Sequence, residues 1–287
     1  NWGIVAVSIN STEVHDKLLP QSFTYHTLSL EENSQKVTKV CSITEVIIAA
    51  KNEERILNYL SSEEIEIIFL TITEKGYNFN AGANSLDFQN EKIIHDLNAL
   101  EQPKTAIGFI VAGLRERFLE KKKPFTVVSC DNMQSNGKLT KNLIVDFAKS
   151  LDVKLASWII ENVSFPSTVV DRFTPATTPK DINYFASEYG IRDEALVVHE
   201  PFFQWVIEDT FCSRRPQFEI VGVNLVKNVE THERMKLRCL NGTHSTLAYL
   251  GYLAGLKTIA DCINEPILKK FTVYLLKNEI VPTLETP

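Results

Sequence analysis

Three short apolar runs, Gly3-Ile-Val-Ala-Val-Ser-Ile9, Glu66-Ile-Ile-Phe-Leu-Thr-Ile72 and Phe125-Thr-Val-Val-Ser129, have the length and composition of buried strands. The stretches 52–60, 107–120 and 139–151 read as helices lying between and after them. Strand and helix thus alternate, which predicts an α/β fold with a parallel sheet flanked by helices. From Pro201 onward the β-branched runs thin out and helical patterns dominate, above all over residues 230–262. Pro166, Pro175 and Pro179 punctuate the passage, and the domain boundary is expected near residue 195. Residues 1–195 then form the sheet domain and 196–287 a mainly α-helical one.

Within the long helical pattern, the stretch Glu233-Arg-Met-Lys236-Leu-Arg-Cys-Leu-Asn241-Gly-Thr-His244 places ionisable and apolar groups on one face. Taking Lys236 as zero on an ideal helix, Glu233 falls near about 60°, His244 near about 80° and Asn241 near about 140°. Leu237, Leu240 and Leu247 share that arc, whereas Arg238, Gly242, Ser245 and Thr246 occupy the far side. A lysine in an apolar wall loses solvation, its pKa falls, and it becomes a candidate general base. The competing reading is a lysine lying along apolar surface with its charge in water, and a histidine serving only as a hydrogen-bonded packing residue.

Composition narrows the classes. With 44% hydrophobic and 23% charged residues, the 287-residue chain is that of an ordinary globular protein large enough for two domains. A formal charge of -6 and the lack of a basic stripe interleaved with aromatics argue against nucleic acid. Lys121-Lys-Lys123 reads as a solvated loop. No stretch is long enough for a membrane span and no basic region precedes an apolar signal core, so a cytoplasmic protein is expected. The cysteines Cys41, Cys130, Cys212, Cys239 and Cys262 are widely separated, and the six histidines form no H-x-x-x-H pair. A zinc site built from clustered histidines and cysteines is therefore disfavoured.

Several longer blocks carry a resemblance: Leu70-Thr-Ile-Thr-Glu-Lys-Gly-Tyr77, Pro103-Lys-Thr-Ala-Ile-Gly-Phe109, Phe125-Thr-Val-Val-Ser-Cys-Asp-Asn132 with Asn136-Gly137, Phe165-Pro-Ser-Thr-Val-Val-Asp-Arg172, Glu200-Pro-Phe-Phe-Gln-Trp-Val-Ile-Glu-Asp209, and the segment from Met235 to Gly255. In this order and spacing they resemble the mannitol dehydrogenase and fructuronate reductase family of long-chain, metal-independent polyol dehydrogenases. The resemblance implies an incomplete Rossmann-like sheet domain, a helical domain that binds substrate, and NAD as cofactor in the crevice between them. The chain departs from the family in carrying no G-x-G-x-x-G turn. Asn1-Trp-Gly-Ile resembles the family's second strand, and Pro282-Thr-Leu-Glu-Thr-Pro287 the middle of its helical domain, so an internal fragment is expected.

The resemblance also implies roles. Lys236 corresponds to the general base, Asn132 and Asn241 to the residues that bind the developing alkoxide, and His244 to the residue that orients the substrate. Glu233 corresponds to a residue that gates proton exchange with solvent, although an i,i+3 ion pair explains it equally. Asp171 corresponds to a carboxylate lining the sugar site, with a turn cap as the alternative, and Asn132 alone would also suit an Asx-turn. Thr73 and Glu74 resemble cofactor-side positions, and Glu13 an acidic residue against the ribose hydroxyls, which favours NAD over NADP. The expected substrate is a small linear polyol or hexuronate, mannitol/fructose or mannonate/fructuronate, with a slight lean toward the uronate. The oligomeric state stays open, a monomer included. The alternative to an enzyme is a catalytically silent remnant acting as an interaction module.

Overall fold

A computed structural model describes residues 2–30 and 34–285. All three expected strands form, trimmed at their ends to Ile4–Ser8, Ile67–Leu70 and Thr126–Ser129. The first pairs in parallel with Ile43–Ile48, and the other two pair in parallel with each other. Helices Glu53–Ser61, Ala106–Leu119 and Asn136–Leu151 take the expected places between and after them. Thr126–Ser129 is buried throughout. Around it, Phe125, the fully buried first nine residues of the helix Ala106–Leu119, and Leu143, Ile144, Phe147 and Ala148 make the main core.

Ile4–Ser8 departs from the expected buried strand, since Ile4 and Val7 are 50% and 43% exposed. Among the described residues its ladder partner is Ile43–Ile48 alone, so its other edge and part of its faces meet solvent.

A second departure is a small sheet that the strand-helix alternation does not announce. Tyr25–Leu30 pairs antiparallel with Gln35–Val40 and in parallel with Val197–His199, over a separate core of Leu28, Phe185, Leu196 and Val198. Asp193, 2% exposed, ties this sheet together. Its carboxylate accepts the His26 N–H at 2.7 Å and the Gln21 amide at 2.9 Å, and lies 2.8 Å from His26 Nδ1. A third sheet orders Asn224–Val226, Gln204–Glu208 and Thr168–Asp171. The helical regime therefore begins at Glu230 and not at Pro201.

These strands also move the boundary. The chain divides into two compact units, Asn1–Leu225 and Val226–Pro287, about thirty residues beyond the position expected from the proline-rich passage. Residues 197–215 are bound into the first unit. Val197–His199 extends the second sheet, Gln204–Glu208 pairs with Thr168–Asp171, and Trp205 and Phe218 pack edge-on against Phe69 at 5.8 and 6.1 Å. Cys212 N donates to Thr126 Oγ1 at 3.1 Å, and Arg214 Nε to Glu66 Oε1 at 2.6 Å.

One buried cation organises the end of the main core opposite the strand tips. Arg117 is 1% exposed, and its guanidinium donates to the carbonyls of Leu60 (2.7 Å), Ile65 (2.8 Å), Lys123 (2.9 Å) and Ser62. Its Cζ lies 4.6 Å from the centre of the Phe125 ring. Burial pushes the guanidinium pKa down to about 10, which leaves it charged at neutral pH. Arg117→Ala strands up to four backbone carbonyls. It is expected to lower the free energy of unfolding by about 3 kcal/mol or more in urea denaturation. Arg117→Lys keeps the charge but not the planar fork, and is expected to recover only part of that loss.

Candidate active site

The expected site residues Thr73, Glu74 and Asn132 follow the point where the paired strands Ile67–Leu70 and Thr126–Ser129 stop. Their last rung is the Cys130 N–H donating to Leu70 O at 2.9 Å. Beyond it, the backbone of residues 71–77 and 131–136 has no ladder partner, and side chains take over. The Asp131 carboxylate accepts the N–H of Ile72 and of Thr73, each at 3.0 Å, and the Tyr77 hydroxyl at 2.8 Å. That hydroxyl is also 2.6 Å from Ser129 Oγ. Burial, followed by the neighbouring carboxylate, pushes the Tyr77 pKa well above the ordinary range, so the group acts only as a neutral hydrogen-bonding one.

Asn132 follows directly and is exposed. Its loop is held from the other side by Asn136, 2% exposed. The Asn136 amide donates to Asp131 O at 3.0 Å and to Thr168 O at 3.1 Å, while its carbonyl accepts the Thr168 N–H at 2.9 Å. Thr168 Oγ1 donates in turn to Ser129 O at 2.6 Å. Through these bonds the strand Thr168–Asp171 is fixed to the turn carrying Asn132. Asp171 is the half-buried last residue of that strand, paired across the ladder with Gln204.

Thr73 and Glu74 are exposed at the start of the short helix Thr73–Gly76. Thr73 has φ of 59°, a left-handed conformation unusual for a β-branched residue. Glu13 stands apart from these. It opens the helix Glu13–Leu18, five residues beyond the strand tip at Ser8, and its carboxylate accepts from Lys17 Nζ at 2.7 Å. That bond holds the exposed carboxylate's pKa below the usual range.

The remaining candidates lie in the second unit, on a helix that changes its winding. Glu230–Met235 is α, Lys236–Asn241 is π, and Gly242–Leu253 is α again, without a break. The Gly242 N–H donates to Leu237 O, five residues back. A π-turn absorbs one extra residue, so positions beyond it rotate back by about 100° relative to an ideal helix. On that correction Asn241 moves from about 140° to about 40° of Lys236, and His244 from about 80° to about -20°. The group is thus more nearly on one face than the ideal wheel suggests. Glu233, Lys236 and Asn241 are half-buried and His244 is exposed. Arg238 is directed elsewhere: its Nη1 donates to both O and Oγ1 of Thr283 at 2.8 Å.

Residues 1–220 match the family described as the mannitol dehydrogenase Rossmann domain, and residues 228–287 that described as the mannitol dehydrogenase C-terminal domain. The chain belongs to the mannitol dehydrogenase family. The D-mannonate oxidoreductase of Escherichia coli (strain K12) is 41% identical over 291 residues, an alignment covering 100% of this chain and 60% of that protein. The mannitol 2-dehydrogenase of Emericella nidulans is 38% identical over 277 residues, covering 95% of this chain and 55% of its own length. Among solved structures, Pseudomonas fluorescens mannitol 2-dehydrogenase in ternary complex with NAD and D-mannitol matches with a TM-score of 0.92 at 35% identity, covering 100% of this chain and 59% of that one. A substrate-free D-sorbitol dehydrogenase matches with a TM-score of 0.95 at 33% identity, covering 100% and 60%. The chain spans about 60% of the length of these mannitol dehydrogenase relatives.

Asp131, Tyr77, Ser129, Asn136 and Thr168 were not among the site residues expected from sequence. They lie inside or beside the blocks that carry the family resemblance, but those blocks do not disclose which backbone groups the side chains bind. Gly137 belongs with them. A Cβ there would come within 3.0 Å of backbone atoms of Phe165, Pro166 and Ser167, none of which is a flexible side-chain end. Gly137→Ala is expected to destabilise the first unit by about 2 kcal/mol through overpacking, and to lower its melting temperature by roughly 4–8 °C. Differential scanning calorimetry checks it.

Proposed function

We propose that this protein is an NAD-dependent, metal-independent oxidoreductase that interconverts a secondary alcohol and a ketone at C2 of a linear sugar derivative, with Lys236 as general base. The observation that carries the reading is the π-turn Lys236–Asn241, which brings a lysine and an asparagine toward one helix face in a chain of the mannitol dehydrogenase family. In oxidation, Lys236 Nζ accepts the proton of the C2 hydroxyl. Asn132 and Asn241 donate hydrogen bonds to that oxygen as negative charge develops on it, which is oxyanion stabilisation by neutral amides. His244 and Asp171 orient the other hydroxyls of the substrate, and Glu233 passes the proton between Lys236 and solvent. In ketone reduction the same groups act in reverse.

NAD, when bound, supplies a hydride acceptor. Thr73 and Glu74 fit its neighbourhood, being exposed at the carboxyl end of a parallel strand pair, where open α/β sheets take nucleotides. Glu13 fits less directly, because ribose hydroxyls would have to replace Lys17 on its carboxylate.

The substrate is a small linear polyol or hexuronate. Relatives named for mannonate and for mannitol stand at nearly equal identity, 41% and 38–40%. Arg238, a group that could favour a carboxylate substrate, is engaged through Nη1 by Thr283. D-Mannonate and D-mannitol are therefore the two substrates to assay with NAD.

In the protein expressed from its complete reading frame, Lys236→Ala is expected to lower turnover by about two to four powers of ten, the range for a positioned acid-base group. NADH affinity is expected to stay within about twofold. Steady-state turnover across pH with NADH fluorescence titration is the check. Near-normal turnover in Lys236→Ala, with activity abolished in Asn241→Ala, would move the base role to His244.

A further inference from the structure

The Asp131 carboxylate is the one side chain among those described that bonds the backbone on the cofactor side while sitting next in sequence to an expected oxyanion donor. It accepts Ile72 N and Thr73 N, and so fixes the turn bearing Thr73 and Glu74. Its own carbonyl is gripped by Asn136, and its peptide leads straight into Asn132. The bond to Thr73 is made to a residue in the left-handed region, which for a non-glycine costs roughly 1–2 kcal/mol. Such a conformation persists only where its surroundings enforce it, and the carboxylate at 3.0 Å is the enforcing group. Tyr77 and Ser129 complete its environment with hydroxyls and bring no opposing cation. The carboxylate orients two backbone donors from one strand end against the backbone of the next.

We propose that Asp131 is a positioning residue that sets the Thr73–Glu74 turn and Asn132 in fixed register, so that the nicotinamide side and the substrate-oxygen side of the reaction are held by one carboxylate. This rests on the dehydrogenase reading above for its catalytic consequence, but the structural link is independent of turnover.

The test is Asp131→Asn in the protein expressed from its complete reading frame. The asparagine is nearly isosteric, yet it turns one of the two accepting oxygens into an NH2 facing a backbone N–H. Amide exchange, steady-state kinetics and NADH affinity are measured. Amide hydrogen exchange is expected to quicken at least tenfold at both Ile72–Thr73 and Asn132–Met133, with the amides of the helix Ala106–Leu119 unchanged. Turnover is expected to fall by roughly 10- to 100-fold and the NADH dissociation constant to rise at least threefold, with the KM of the sugar substrate changing less than either. Phe185→Leu, in the separate core of Leu28, Leu196 and Val198, is the stability control. It is expected to lower the melting temperature while leaving turnover and NADH affinity unchanged. Faster exchange confined to Ile72–Thr73, with Asn132–Met133 as protected as in the parent, overturns the proposal. So does a turnover loss that Phe185→Leu reproduces. A parent protein that binds NADH but oxidises neither D-mannitol nor D-mannonate counts against the dehydrogenase reading instead. The exchange pattern and the NADH constant then decide the positioning role by themselves.

Discussion

Where a parallel ladder stops, the next backbone N–H and C=O groups lose their partners while the chain is still partly buried, and each left unpaired is costly. In this protein that constraint falls on the residues expected to do chemistry. Asp131 and Asn136 answer it with opposite chemistries. The carboxylate only accepts, so it takes N–H groups of residues 72 and 73, whereas the amide both donates and accepts, so it can bridge Asp131 O and both backbone groups of Thr168. Exchanging the two residues would set a donor against a donor at position 131 and acceptors against acceptors at position 136. The placing of Asp131 and Asn136 therefore follows from which backbone groups each turn leaves open.

The same device recurs through the first unit. Arg117, with donors only, gathers the carbonyls of residues 60, 62, 65 and 123. Asp96, fully buried, accepts the N–H groups of Lys104 and Thr105 and the Thr105 hydroxyl, just before the helix Ala106–Leu119. Asp193 does so for His26, Gln21 and Ala195. Each joins segments that no shared ladder connects at that point. Internal polar side chains thus add to the shared apolar core in joining the short strand pairs into one unit.

That distribution explains how much could be read beforehand. The strands of the central core were legible because their apolar residues, Val127 and Val128 among them, lie in short unbroken runs of strand length. The sheet of Tyr25–Leu30 and Gln35–Val40 was not, since most of Gln35–Val40 is solvated and its sequence carries little apolar signal. The domain boundary was missed because Gln204–Glu208 contributes one short strand, whose place is set by a partner 30 to 40 residues earlier in the chain. Lys236, Asn241 and His244 stood out by spacing and residue type. Asp131 did not, because its partners lie 54 to 59 residues away and periodicity reports only on near neighbours.

The π-turn marks the sharpest limit of such reading. One residue inserted into an α-helix leaves its composition and its apolar count unchanged, and a six-residue segment is too short to show a new period. Yet it rotates everything beyond it by about a quarter turn, which decides whether Asn241 flanks Lys236 or faces away from it. π-Turns are rare and occur mostly as single-turn bulges within α-helices, frequently at functional sites. Leu247, beyond the turn, is 2% exposed and packs against the helix Ile259–Asn264, where Cys262 donates to its carbonyl at 3.6 Å. On the same correction Leu247 moves from about 20° to about -80° of Lys236, so its buried contact and the polar groups lie on adjoining faces of the helix rather than on one.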